Sequence, residues 1–244
     1  MYISQSQINL YRKCPYAYCL KYKHKHQPMF FDETNFEVGR KVHEVIDNYY
    51  THHYKHVSSH DNLMGILYPL LQKKWDTNLP VDDDKKVALY KKAYVCLQHF
   101  AQFEIQNQQS GFSKPMTEVK IESDGLLGYI DYINLDTMQI LDFKTNTKSS
   151  ISYEYKIQFH MYRRLLKQKY NIDISEFTFL FLYTNEEKTI TLTKSIKKIE
   201  DDLDMYINNI RSSWKTDTFE KKPRLKSSCK YCEYRIYCGG INVE

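Results

Sequence analysis

Glycine and proline are scarce in this 244-residue chain, at 7 and 6. Tight turns and spacers draw on both, so few linkers and few tight hairpins are expected. No window approaches 18 uninterrupted apolar residues, so no membrane span is expected. The opening stretch, MYISQSQINLYRKC, lacks the basic, apolar, small-residue order of a secretory signal. A cytoplasmic or other reducing intracellular location is therefore expected, and the 6 cysteines do not read as a disulfide framework. No G-x₄-G-K-[S/T] loop occurs, so the chain carries no ATP motor of its own. Internal repeats and Gly/Ser-rich spacers are missing too. What is present is a globular composition: 42% hydrophobic residues, 22 tyrosines among them, and a formal net charge of +5. The length suits one elaborated domain with a sizeable core. The positive surplus is too modest to name a partner by itself.

Periodicity divides the chain. Residues 4–22 read as a short helix capped at Ser4 or Ser6 and stopped near Pro15. Val38, Val42, Val45, Ile46 and Tyr49 recur at helical spacing over 36–56, and residues 62–79 and 84–108 read as two further amphipathic helices. The pattern then changes. TEVKIES (117–123), LLGYIDYINLD (126–136) and QILDFKT (139–145) alternate or run apolar between turn signals, which predicts a three-stranded meander. A helix is expected over 152–170, a buried central strand at EFTFLFLY (176–183), its hairpin partner at KTITLTK (188–194), and a last helix over 196–214. The order predicts an α/β fold with a mixed sheet.

The chemistry concentrates in the middle strands. GYID ends in Asp131, and LDFKT presents Asp142 and Lys144. Strand residues two apart share a face, so Asp142 and Lys144 point into one cleft, and a short turn brings Asp131 alongside. Two carboxylates and an ammonium so placed suit one job. Hard oxygen ligands hold Mg²⁺ or Mn²⁺. The ion polarises a phosphodiester and helps deprotonate water, and the lysine positions that water or stabilises charge on the phosphoryl oxygens. His43, in GRKVHEVID, is a candidate further ligand from a helix facing the cleft. Gln158 and Tyr162 are four apart on one helix and share a face. Taken singly, each motif has an ordinary reading: a solvated D-x-K ion pair, an exposed histidine, a helix face packed on a sheet. Their order and spacing single them out.

That order resembles the PD-(D/E)xK nuclease superfamily, and within it the RecB-like branch. The branch carries an upstream His, an Asp after a Gly-containing strand, D-x-K, and a Q-x₃-Y helix. These map to His43, Asp131, Asp142 with Lys144, and Gln158 with Tyr162. The resemblance implies metal ligation by His43, Asp131, Asp142 and the main-chain carbonyl of Phe143, with Gln158 and Tyr162 orienting the site. It covers roughly residues 36–183 of the sequence, and departs only in reading Q-F-H-M-Y where Leu often follows the Gln. Glu118, one strand earlier, is an accessory acid at most.

A second constellation lies at the ends. CKYCEYRIYC places Cys229, Cys232 and Cys238 in a C-x₂-C-x₅-C run, three parts of a metal site. Cys14 is the best fourth ligand, because Pro15 ends its helix and leaves the thiol at a turn. Cys19 is the alternative, and Cys96 reads as core. The resemblance supports Cys14, since RecB-like nucleases of the iron–sulfur subgroup have one Cys, commonly followed by Pro, before the nuclease core and a C-x₂-C-x₅-C run after it. AddB-type nucleases and the CRISPR-associated 4Fe–4S exonuclease share this layout. Four thiolates suit a 4Fe–4S cluster, zinc would satisfy the same sulfurs, and free thiols in a disordered tail are the ordinary reading.

Three other features stand out less. HHYKHVSSH (52–60) places His52, His56 and His60 four apart, without a carboxylate or thiol to complete a site. The basic stretches KYKHKH (21–26) and KKPRLKSSCK (221–230) flank the cysteines, as phosphate contacts or as solvated charge. Tyr16, Tyr18, Tyr231, Tyr234 and Tyr237 offer rings for bases or for packing. The expectation is one nuclease domain over 1–244: a first cluster-ligand segment (1–35), a helical region (36–110), a nuclease core (111–215) and an iron–sulfur tail (216–244). By resemblance it hydrolyses DNA as an exonuclease on single strands or ends. Alternatives are a CRISPR adaptation factor trimming DNA before integration, and a DNA-binding subunit with a vestigial site. Integrase or helicase proteins are the expected partners.

Overall fold

The computed structural model describes residues 2–29, 33–75, 79–111 and 113–239, and the side chains of 33–35, 195 and 226 lie outside the description. The chain opens with a two-residue strand, β1 (Ile3–Ser4), and α1 (Gln5–Lys13), whose cap is Ser4: its hydroxyl accepts from the Gln7 amide. Pro15, with no amide hydrogen to lose, starts α2 (Pro15–Tyr18), which continues as a π-turn over Cys19–Lys23. The helical region holds α3 (Glu33–Asn48), a second π-turn at Tyr49–His53, α4 (His60–Lys74) and α5 (Asp83–Gln109). Asp82 caps α5, and Asp83 and Asp84 follow in its first turn, where carboxylates complement the helix dipole.

Strands β2 (Met116–Ser123), β3 (Leu126–Asn134) and β4 (Gln139–Lys144) form the expected antiparallel meander. α6 (Tyr153–Tyr170) then crosses to β5 (Glu176–Phe181), which pairs parallel with β4 and antiparallel with β6 (Glu186–Thr191). α7 (Lys194–Thr216), a 3₁₀ turn at Lys226–Tyr231 and α8 (Arg235–Cys238) complete the described chain. The sheet order is β1-β3-β4-β5-β6, with β2 on β3 and β1 parallel to β3.

Strand alternation splits the apolar residues between two helical layers. Ile140 on β4 and Phe177, Phe179 and Phe181 on β5 join α1, α6 and α7 in one core; Leu141, Phe143 and Leu180 join α3, α4 and α5 in the other. Both faces of the sheet are therefore covered, as an α/β fold with parallel pairing requires.

Three expectations are corrected. The centre of the sheet is β4, not the more apolar β5, because β6 makes β5 second from the edge. The hairpin turn lies two residues earlier than read, over 182–185, so that Glu186 and Glu187 already pair in the ladder. The histidines of 52–60 do not share a helix, since the π-turn ends at His53 and α4 begins at His60. β1 meets the stretch read as helix only at Ser4, its candidate cap; two residues are too short for a periodic signal.

Candidate active site

The central strand brings its charges to the α6 layer. Asp142 and Lys144 share the face of β4 that carries Ile140, and their carboxylate and ammonium form an ion pair. Gln158, from α6, spans the site: its Nε2 donates to Asp142 Oδ2 at 2.6 Å and to the Tyr162 hydroxyl at 2.9 Å, while its Oε1 accepts from Lys144 Nζ at 3.2 Å. The Tyr162 hydroxyl donates in turn to the Tyr129 carbonyl. Every polar atom of the Gln158 amide group is thereby engaged, which fixes its orientation.

Gly128 explains how Tyr162 reaches this depth. A Cβ there would stand 2.8 Å from Leu165 Cδ1 and 3.0 Å from the Tyr162 ring. The glycine of the G-x-I-D motif serves close packing of β3 on α6.

Asp131 enters from β3 and is anchored by the Phe143 amide, which donates to its Oδ2 at 2.7 Å. Its other oxygen lies 3.5 Å from His43 Nδ1. His43, on α3, also faces Glu118 Oε1 at 3.3 Å through Nδ1 and the Phe143 carbonyl at 3.0 Å through Nε2. Both ring nitrogens face acceptors, an arrangement that favours the doubly protonated imidazolium. Glu118 sits opposite Asp131 between the paired positions Thr117↔Tyr132 and Val119↔Ile130, and its φ of 47° lies in the left-handed region unusual for a non-glycine residue. His43, Glu118 and Asp131 offer ligand atoms all within 4.8 Å of one another.

Charge and burial set the protonation states. Burial would push the Asp131 carboxyl up, but the His43 and Lys144 cations and the Phe143 amide more than offset it and hold Asp131 below the usual range. Asp142 goes the other way: burial first, then the charge of Asp131, push it up to about 6 despite Lys144. Burial opposes the charge on His43 and Lys144 as well, yet Asp131 and Glu118 hold the imidazolium well above its ordinary value, and Asp142 and Asp131 raise Lys144.

These side chains line one cleft of about 670 Å³, whose opposite wall is α3 with Phe36, Gly39, Arg40, Glu44 and Asp47. The structure thus brings together His43, Asp131, Asp142, Lys144, Gln158 and Tyr162. It adds Glu118 to the group most closely spaced for a cation, whereas Asp142 turns toward Lys144 and Gln158, and the Phe143 carbonyl accepts from His43. Sequence reasoning undervalued Glu118, because strand alternation does not foresee a left-handed residue.

The second constellation forms a separate cavity of about 680 Å³ lined by Cys14, Cys229, Cys232 and Cys238. Ala17, Leu20 and Tyr234 form its buried wall, with Leu10 and Tyr16 packed against them. Burial and the neighbouring thiols raise Cys229 and Cys232. Cys19, by contrast, is buried away from this cavity's lining, and Cys96 lies in the α3–α5 core. Tyr18 and Tyr234 are buried, while Tyr231 is exposed.

A mixed sheet with helices on both faces thus carries a cleft in which an acidic pair, a histidine and a lysine meet. The chain belongs to the PD-(D/E)XK nuclease superfamily, whose family model matches residues 2–239. Among solved structures, the crystal structure of an exonuclease candidate from Eubacterium rectale aligns over 100% of this chain and 90% of its own, with TM-score 0.60 and 14% identity. The structure of a protein named SSO0001 aligns over 85% of this chain and 96% of its own at TM-score 0.35 and 15% identity. No curated protein matches the chain. No described helix is long and apolar enough to cross a membrane.

Proposed function

We propose that the protein is a Mg²⁺- or Mn²⁺-dependent deoxyribonuclease that acts as an exonuclease on single strands or ends of DNA. The observation that carries this reading is the meeting of His43, Glu118 and Asp131 with the Asp142–Lys144 pair in one cleft. A divalent ion bound there supplies polarisation of the phosphodiester and a lowered pKa for attacking water. The donor set fits such an ion: carboxylate oxygens and one imidazole within 4.8 Å of one another, with Asp131 held ionised. Asp131, Glu118 and His43 would hold the ion, and Asp142 and Phe143 line the same cleft. Lys144 faces the reacting phosphate and stabilises its developing charge. Gln158 fixes Lys144 and Asp142 relative to each other, and Tyr162 fixes Gln158.

The four cysteines are proposed to hold a 4Fe–4S cluster. A tetrahedral zinc, with Zn–S near 2.3 Å, needs sulfurs about 3.8 Å apart. Among the described residues no three of these sulfurs come within 4.8 Å of one another. All four cysteines line one cavity of about 680 Å³, room enough for a cubane.

The experiment is digestion of end-labelled linear and circular single-stranded DNA with Mn²⁺ or Mg²⁺. Linear DNA is expected to be degraded from its ends and circles left intact. Asp131→Asn and Asp142→Asn are each expected to lower the rate at least roughly a hundredfold without changing the melting temperature. Undiminished cleavage by Asp142→Asn removes that residue from the site, and cleaved circles replace the exonuclease mode with an endonuclease one.

A further inference from the structure

We infer that Tyr155 and Phe179 form a cation–π clamp that positions the Lys144 ammonium; this deepens the nuclease reading and rests on it. Lys144 Nζ lies 4.7 Å from the centroid of the Tyr155 ring and 5.4 Å from that of Phe179. Both distances fall within the ~6 Å over which a ring face attracts a cation. The two rings stack on each other at 4.8 Å and 26°, and Phe181 meets Tyr155 edge-on at 6.0 Å. The Tyr155 hydroxyl donates to Asn146 Oδ1 at 3.4 Å. Both rings come from elements that already build the site. Phe179 is the register partner of Asp142 across the β4–β5 ladder. Tyr155 lies three residues before Gln158, on the same face of α6.

The physical reason for rings here is charge. Lys144 is largely buried, and two of its donors go to Asp142 and Gln158. A second carboxylate would hold the ammonium equally well but neutralise it. Ring faces attract the cation without taking its charge, which stays available to the phosphoryl oxygens. Tyr155 is thus a positioning residue that acts through Lys144. The same helix face supplies the ring, the amide of Gln158 and the hydroxyl of Tyr162.

Two measurements test this. In steady-state degradation of single-stranded DNA, Tyr155→Leu is expected to lower kcat roughly tenfold with KM within about twofold, and Tyr155→Phe, which keeps the ring, to restore the wild-type rate. Tyr155→Met, of similar length and without a ring, repeats the test if the leucine protein fails to fold. Independently of activity, the ε-methylene resonance of Lys144, assigned with Lys144→Arg, is expected upfield of other lysines through ring currents and to relax downfield in the Leu or Met protein. Wild-type kcat in Tyr155→Leu overturns the inference, as does an unshifted Lys144 resonance in the wild type. A wild type inactive with every divalent ion sinks the nuclease reading instead, and the resonance alone then decides whether the clamp exists.

Discussion

His43 faces two demands that exclude each other. Without a cation its Nδ1 proton binds Asp131 and Glu118, which hold the imidazolium well above its ordinary pKa although burial opposes it. To ligate an ion through that nitrogen it must give up the proton. Metal and proton therefore compete for one position. The folded-state pKa is raised, so the competition is complete below the ordinary histidine range and is lost only as pH rises through the raised value. Above about pH 6, Asp142 is ionised and adds little to the slope. Mn²⁺ affinity, measured by calorimetry or electron paramagnetic resonance, is expected to rise with pH from the ordinary histidine range upward, with close to one proton released per ion, and to level off only above the raised pKa of His43. His43→Asn should bind more weakly and flatten the dependence. A flat wild-type profile would mean that Asp131 and Glu118 hold the ion without the ring.

Among the secondary elements, the contact of β3 with α6 sets the depth of the site. Gly128 lets Leu165 and Tyr162 approach where any Cβ would collide. Overpacking of this kind costs about 1–3 kcal/mol. Gly128→Ala is expected to lose that much in urea denaturation and to slow cleavage, because Tyr162 moves and Gln158 loses its partner. Trimming the obstacle in Gly128→Ala/Leu165→Val should return part of both losses. Unchanged stability in the single variant would show that α6 shifts freely, and the packing account would fail. The same elements show how much was legible in advance. Long amphipathic helices and the β2–β4 meander follow from period alone, and D-x-K with Q-x₃-Y places four site residues because their spacing matches strand and helix geometry. The rest depends on tertiary pairing. Tyr155 carries no local signal until β5 brings Phe179 beside Asp142. Glu118 reads only as an accessory acid, because its left-handed backbone is not visible in strand alternation, and the centrality of β4 depends on β6, which the apolar count ignores.

For the whole molecule, the two ends of the described chain meet. Main-chain bonds run from Tyr16 N to the Glu220 carbonyl, from Arg224 N to the Lys13 carbonyl and from Met29 N to the Glu233 carbonyl, at 3.1, 2.9 and 2.8 Å. The Tyr11 hydroxyl meets Ser213 at 2.8 Å, and Trp214 donates to the Tyr18 hydroxyl at 3.0 Å. These contacts already seat α1 and α2 against the C-terminal segment, and the cysteine cavity lies at their junction. The proposed cluster, bound there, would close a loop from Cys14 to Cys229. By chain entropy such a closure is worth about 5 kcal/mol, reduced to the extent that the protein contacts restrain the ends without it. Cys14→Ala is therefore expected to lose iron and sulfide together and to lower the melting temperature by roughly 10–20 °C. Cys19→Ala, outside the cavity lining, should keep its full iron content. Cys14 is remote in sequence from Cys229, Cys232 and Cys238, so its loss separates a clasp from a self-contained tail. Cys14→Ala protein that retains iron, sulfide and melting temperature would show that the three C-terminal thiols bind their metal without tying the ends.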